Sequence, residues 1–325
     1  MKKFIETLKN CWKVEDLRQR LLITILFTAI YRFGSFVVLP GINPAKLESL
    51  QSQTAGGLMS LLDMFSGGAF SNASIFALGI MPYISASIVM QLLAVAVPYF
   101  QKMQREGESG RKKINWYTRL LTIAILVFQG PAYLMNLKTQ AGQALASGVS
   151  WTAFIVSATV ILAAGSMFIL WLGERITDKG VGNGISLIIM IGIIARLPQA
   201  FVQEVTSRFT AISGGGIVMF IVELLILYAV VCASILLVQG TRKVPVQYAK
   251  RIVGNKQYGG ARQYIPLKLF AANVMPIIFA QALMFIPLVI VQYQSENASW
   301  VVRSLMDNRS VLYNVIYVIL IIAFT

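Results

Sequence analysis

The stretch GLMSLLDMFSGGAFSNASIFALGIMPYISASIVMQLL, Gly57 to Leu93, decides how this chain is read. Its first part, Gly57 to Asn72, is apolar enough to leave water. It is nevertheless too short to cross a bilayer core, which needs about 20 helical residues, and Gly67 and Gly68 break it. The remainder opens an apolar run near 74–97 that carries Gly79 and Pro82. Broken backbone at membrane depth is tolerated only where protein or a water-filled cavity shields its free N–H and C=O groups. Gly57–Asn72 is therefore either a helix packed on the outer rim or a re-entrant half-helix folded into a central cavity. The proline-bearing run directly behind it favours the second.

Composition supports a membrane reading. Of 325 residues 57% are hydrophobic and 13% charged, with a mean hydropathy of +0.70; soluble domains carry about 25% charged residues. Apolar runs of spanning length fall near 21–38, 74–97, 118–136, 152–172, 185–203, 217–238 and 271–291, and an eighth begins at Val311. The fold class expected is an all-α, polytopic helical bundle. A chain rarely ends inside an apolar run, so a missing C-terminal part is expected beyond Thr325. Residues 1–20 are charged, with Phe4, Leu8, Cys11 or Trp12, and Glu15 at helical spacing. They read as an amphipathic helix on the cytoplasmic face rather than a cleavable signal.

The 28 Lys and Arg residues set the orientation. Most lie in 1–20, 98–119, 173–184 and 239–268, whereas the other side receives Lys46, Lys138, Arg196, Arg208, Arg303 and Arg309. With a cytoplasmic N-terminus this obeys the positive-inside rule. Five spans precede the outer loop at 204–216, so a second set starting with the sixth runs in the opposite sense, as in an inverted repeat. The halves are 21–203 and 217–325. Breakers occur in the second span and, as Pro276 and Pro287, in the seventh.

Chemistry is sparse. There is no His, and Cys11 and Cys232 lie too far apart in sequence to suggest a disulfide framework or metal site; no cofactor and no catalytic set is expected. Gly180, Gly182 and Gly184 in DKGVGNGIS lack the strand and the Gly-Lys-Ser/Thr of a phosphate loop and read as a tight turn. Loop 239–268 holds Arg242, Lys243, Lys250, Arg251 and Lys256 among its cations, and no acid. That is more charge than topology needs, so it reads as a docking surface for an anionic partner, nucleic-acid phosphate and acidic protein surface being equally compatible. Arg32 and Glu223 are ionisable groups inside spans; an ion pair between them and snorkelling of Arg32 are both open. A secondary transporter built on inverted repeats would share this organisation, but no acidic cluster for ion coupling is present.

The motifs FSGGAFSNASIFALGIMPYISASIVMQLL (Phe65–Leu93), EGESGRKK (Glu106–Lys113), WLGERITDKGVGNGIS (Trp171–Ser186), VPVQYAKR (Val244–Arg251), YIPLK (Tyr264–Lys268) and NVMPIIFA (Asn273–Ala280) closely resemble the SecY/Sec61-alpha family. Its members form the channel of the protein translocon. The resemblance implies ten spans around an hourglass pore, with the ninth and tenth beyond Thr325. It implies a ring of aliphatic side chains at Ile80, Ile84, Ile185, Ile189 and Ile278. A plug follows at about 60–72, including Ser60, Leu61, Leu62, Met64, Phe65, Ser66, Gly67 and Gly68. It further implies a lateral gate between spans 2/3 and 7/8, with Ser85, Ser87, Gln91, Gln129, Asn273 and Gln281 at the seam. By residue type alone each Ile would be ordinary packing. The partners implied are SecE, SecG, the SecA motor or a translating ribosome with contact to its RNA, signal-sequence-bearing polypeptides, and membrane lipid. The location implied is the bacterial cytoplasmic membrane.

Overall fold

Helix boundaries follow from where the backbone can close its own hydrogen bonds. The computed structural model describes residues 12–44, 63, 66–141, 150–210, 216–247, 251–253, 256–258, 262–270, 280, 284 and 310–325. Helix α1 (Glu15–Gly34) opens with Glu15 and Asp16 in its first turn, where acids complement the helix dipole, and carries Arg32 in its last. Residues 15–20, read from sequence as part of a surface helix, are thus the first turns of α1; residues 1–11 lie outside the described residues.

The run at 74–97 is helical only from Met81. Residues 66–80 form successive turns, with Gly67, Gly68 and Gly79 at φ +66°, +89° and +54° and Ala73 at +45°. These conformations cannot continue a right-handed helix. The turn backbone finds partners in the extended segment after α1: the Leu39 N–H donates to the Ala73 carbonyl at 2.9 Å, and the Ile75 N–H to that of Val37 at 2.9 Å. Helix α2 (Met81–Ala96) then starts with Pro82 in its first turn, where a missing N–H costs nothing. Pro82 begins the helix instead of interrupting it.

Val97 is extended and Pro98 opens α3 (Pro98–Arg105), because the residue before a proline avoids the helical region. Helices α4 (Glu108–Ala141) and α5 (Trp151–Lys179) are the long members of the first half. The turn after α5 is closed by side chains: Asn183 caps α6 (Gly184–Ile194) by accepting from the Ile185 and Ser186 N–H groups. Thr177 Oγ1 accepts from the Gly184 N–H at 2.9 Å. Thr24 Oγ1 of α1 accepts from the Val181 N–H at 3.1 Å. The glycine-rich motif is the tight turn expected. Pro198 has no N–H to return to the Ile194 carbonyl, so α6 ends there and α7 (Leu197–Thr210) follows after Ala195 and Arg196.

In this first part α1 packs on α5, α2 on α4, α4 on α5, and α5 on α6. Two buried clusters result. One joins Phe70, Leu78, Leu126, Leu134, Phe154 and Leu162. The other joins Tyr31, Ala69, Phe76, Ile80, Ile169, Leu172, Ile176 and Ile188. Between apolar helices in lipid the gain is close packing rather than release from water.

The chain forms two compact units, Met1–Gln199 with Phe279–Ile319, and Ala200–Ile278 with Leu320–Thr325. In the second, α8 (Gly216–Gln239) is apolar and exposed along its described side chains. The Glu223 carboxylate pairs with Arg208, which also bonds Glu204 at 2.8 Å. Arg208 thus neutralises Glu223 within this unit, and Arg32 has a partner within its own, described below. After α8 the chain forms an antiparallel ribbon, β1 (Thr241–Gln247) against β4 (Arg262–Lys268), and β2 (Arg251–Val253) against β3 (Lys256–Tyr258). This ribbon adds to a predominantly helical fold closed by α9 (Val311–Phe324). Among the described residues four helices are long and apolar enough to cross a membrane, or up to five if the bent α2–α3 pair forms one span. The seventh run, 271–291, falls almost wholly outside them.

Candidate functional site

A re-entrant segment can stay at membrane depth only if its polar backbone is paired, and the turn segment after α1 is densely paired. The Gly68 N–H donates to the Asp63 carbonyl at 2.9 Å. The Ser66 hydroxyl donates to that carbonyl at 3.1 Å and accepts from the Phe70 N–H at 3.1 Å. Tyrosines from two helices reach in: Tyr133 donates to the Phe70 carbonyl at 2.9 Å, and Tyr31 to that of Ser66 at 3.4 Å. Two arginines do the same. Arg32 donates to the Gly67 carbonyl at 2.7 Å. Arg196 forms an ion pair with the buried Asp63 carboxylate and donates to the Ser71 hydroxyl at 3.0 Å. Asp63 also accepts from the Ser71 N–H at 2.9 Å.

Neither Asp63 nor Arg196 was singled out by sequence reasoning, which counted Arg196 only as an outer charge. A signal existed. Asp63 is the lone acid in an apolar segment, and a carboxylate there requires a cation or several donors. Of the plug residues expected, Ser66, Gly67 and Gly68 belong to this paired segment; Ser60, Leu61, Leu62, Met64 and Phe65 lie outside the described residues.

Four of the five residues expected for the ring share one cluster. Ile80 is buried in the cluster that also contains Ala69, Phe76 and Ile188, and Ile84, Ile185 and Ile189 pack against it while staying partly exposed. Ile80 and Ile84 are tied by the Ile84 N–H to Ile80 carbonyl bond at 3.1 Å, although Ile80 precedes α2 rather than lying within it. On α6 it is Ile188 that turns fully inward, leaving Ile185 and Ile189 half-buried on the flanks. Ile185 is seated against Gly173 of α5, where a Cβ would meet its Cγ1 at 3.0 Å. Ile278 lies outside the described residues.

Of the residues expected at the gate, the Gln91 amide donates to the Ser87 hydroxyl within α2 at 3.4 Å, Ser85, two residues before Ser87, is half-buried, and Gln129 is buried on α4. Asn273 and Gln281 lie outside the described residues. In the ribbon, Arg242 stands opposite Leu267 and Val244 opposite Ile265, so these four share one face. Lys243, Tyr264 and Lys268 occupy the other. Arg251 is opposite Tyr258 and Lys256 opposite Val253; Lys250 lies outside the described residues.

This arrangement of broken backbone beside an aliphatic cluster can be set against known proteins. The SecY family profile matches residues 74–325. A "Protein translocase subunit SecY" of Streptomyces coelicolor is 37% identical over 328 residues, covering 97% of this chain and 74% of the relative. The chain belongs to the SecY family. A solved structure described as a protein conducting channel matches the fold with a TM-score of 0.62 at 19% identity, over 94% of this chain and 70% of that one. Sec61 from a canine ribosome-channel complex matches with 0.55 at 19% identity, over 85% of this chain and 60% of that one. This SecY-family chain is thus a multi-pass membrane protein with a protein-translocation channel role. A secondary transporter is not favoured.

Proposed function

We propose that the chain is the pore-forming subunit of a translocase in the bacterial cytoplasmic membrane. With its N-terminus in the cytoplasm, it passes unfolded secretory polypeptides across and releases apolar segments sideways into lipid. The observation that carries the reading is the meeting of Ile80, Ile84, Ile185 and Ile189 on one cluster together with Ala69, next to the paired segment 66–72. A narrow aliphatic neck excludes ions by dewetting yet yields around a chain of any sequence, and a plug beside it would complete the resting seal. Ile278 supplies a fifth position. The polar residues Ser85, Ser87, Gln91, Gln129, Asn273 and Gln281 serve as the lateral gate. Polar contacts between membrane helices are worth only about 0.6 to 2 kcal/mol each, so such a gate opens reversibly.

The chain itself drives nothing. Energy comes from SecA or a translating ribosome docked on the basic ribbon, a surface compatible with acidic protein or ribosomal RNA, while SecE and SecG complete the complex. That Sec61, which shares this fold, occurs in a ribosome-channel complex supports the ribosomal choice. The test is a photo-crosslinking residue at Ile84 or Ile278 in the full-length chain. A stalled preprotein should be captured there, and no capture at either position while transport proceeds would remove the ring assignment.

A further inference from the structure

We propose that Arg196 and Arg32 form a two-point latch on Asp63 and segment 66–72, and that the latch is released when α6 moves; this rests on reading that segment as part of the plug. The two guanidiniums come from separate elements, the end of α1 and the break after α6, and converge on one run of turns. Their seats are built from glycine. At Gly67 a Cβ would stand 3.1 Å from Arg32 Nη1, and at Gly68 it would stand 3.2 Å from Arg196 Nη2. Both residues also have positive φ, so any other residue would strain the turn and push the arginine off.

The ion pair is asymmetric, which suits it to release. The Asp63 side chain is 2% exposed and that of Arg196 45%. The cation can withdraw into a wetter position, whereas the carboxylate, left behind, keeps only the Ser71 N–H among the described residues and must itself leave the site to regain water. Position supplies the trigger. Arg196 lies two residues beyond α6, whose Ile185 and Ile189 pack on the constriction cluster. A rigid helix displaced outward at those residues carries Arg196 away from Asp63. Widening of the neck and freeing of the plug are then one event, with the ion pair as the element both bias.

The experiment uses the full-length chain in its purified complex, with Cys11 and Cys232 replaced by Ser and Ala69→Cys as reporter, since Ala69 is fully buried. Its rate of maleimide labelling reads how often the segment leaves its seat. R196Q should raise the rate by at least about tenfold, as expected for an uncompensated buried carboxylate. D63N combined with R196Q should raise it no further than R196Q alone. A synthetic signal peptide should accelerate labelling in the parent and add little in R196Q. If R196Q does not assemble, R196K, which keeps the charge but loses the fork, should give a smaller rise. Labelling at the parent rate in R196Q or R196K, or an additive effect of D63N, overturns the latch. Deletion of 60–72 is the separate control: raised ion conductance there with parent-like labelling in R196Q means a plug without this latch, and unchanged conductance means that the plug reading itself is wrong.

Discussion

Gly165 of α5 lies directly beneath the carbonyl of Ile75: a Cβ on Gly165 would stand 2.3 Å from that oxygen. The turn segment ahead of α2 thus packs backbone against backbone on α5. Phe76 fixes the same region by stacking on Tyr31 and Phe168.

Gly165→Val should therefore displace residues 74–80, with an overpacking cost of about 1–3 kcal/mol or more. Gly182→Ala is the comparison. Its Cβ would meet nothing within 4 Å, yet its φ is +74°, so only backbone strain of about 1–2 kcal/mol applies. Thermal unfolding of the purified complex should show the larger fall in Tm for Gly165→Val, and its channel activity should fall while that of Gly182→Ala persists. Equal, small shifts would mean that the Ile75 backbone gives way freely.

The turn between α5 and α6 offers a finer comparison. Asn183→Ala removes the cap on α6, a change of about 1 kcal/mol. Thr24→Val leaves the Val181 N–H without the hydroxyl that receives it at 3.1 Å, costing about 1–3 kcal/mol. Because Thr24 and Val181 belong to segments far apart in sequence, Thr24→Val should loosen α1 from the turn, read as faster hydrogen exchange at Val181. Asn183→Ala should instead affect Ile185 and Ser186. Interchanged patterns would refute this assignment of hydrogen bonds.

Long helices were legible because the apolar runs in α4, α5 and α8 reach spanning length without a helix-stopping turn. The start of α2 was not. Hydropathy reports apolarity, and Ser74–Ile80 is as apolar as a helix; what stops it is backbone conformation at Gly67, Gly68, Ala73 and Gly79. The ribbon was missed for the opposite reason: its charges masked the alternation of Arg242, Val244 and Val246, which pairing with Leu267, Ile265 and Gln263 makes evident. Ring positions came from motif resemblance alone, since an Ile among so many apolar residues carries no mark of its own. The Asp63–Arg196 pair spans 133 residues of sequence, beyond the reach of any local pattern.

Docking on the ribbon is tested by charge reversal. Arg242→Glu, Lys250→Glu and Arg251→Glu together should weaken binding of SecA or the ribosome and flatten its dependence on salt, because screened attraction is what they supply. Val244→Ser with Ile265→Ser, on the face shared with Arg242, should weaken binding without changing the salt slope. Affinity unchanged at low salt in the reversed variant would exclude this surface.

The seal makes the sharpest prediction. Replacing Ile80, Ile84, Ile185, Ile189 and Ile278 by Asn or Ser in the full-length chain should hydrate the neck, because a polar lining removes the cost of wetting a narrow apolar passage. Conductance of resting channels in planar bilayers should rise. Preproteins with weakened signal sequences should also be exported more readily, since the closed state has lost packing that the open state never had. Ile188→Ser separates this from ordinary core damage: Ile188 is a buried member of the cluster, whereas Ile185 and Ile189 are its partly exposed flank. It should cost about 2–5 kcal/mol of stability, as is typical of a buried aliphatic loss, read as a fall in Tm, without raising conductance. If Ile188→Ser conducts and the Ile185 and Ile189 variants do not, the ring has been assigned to the wrong face of α6.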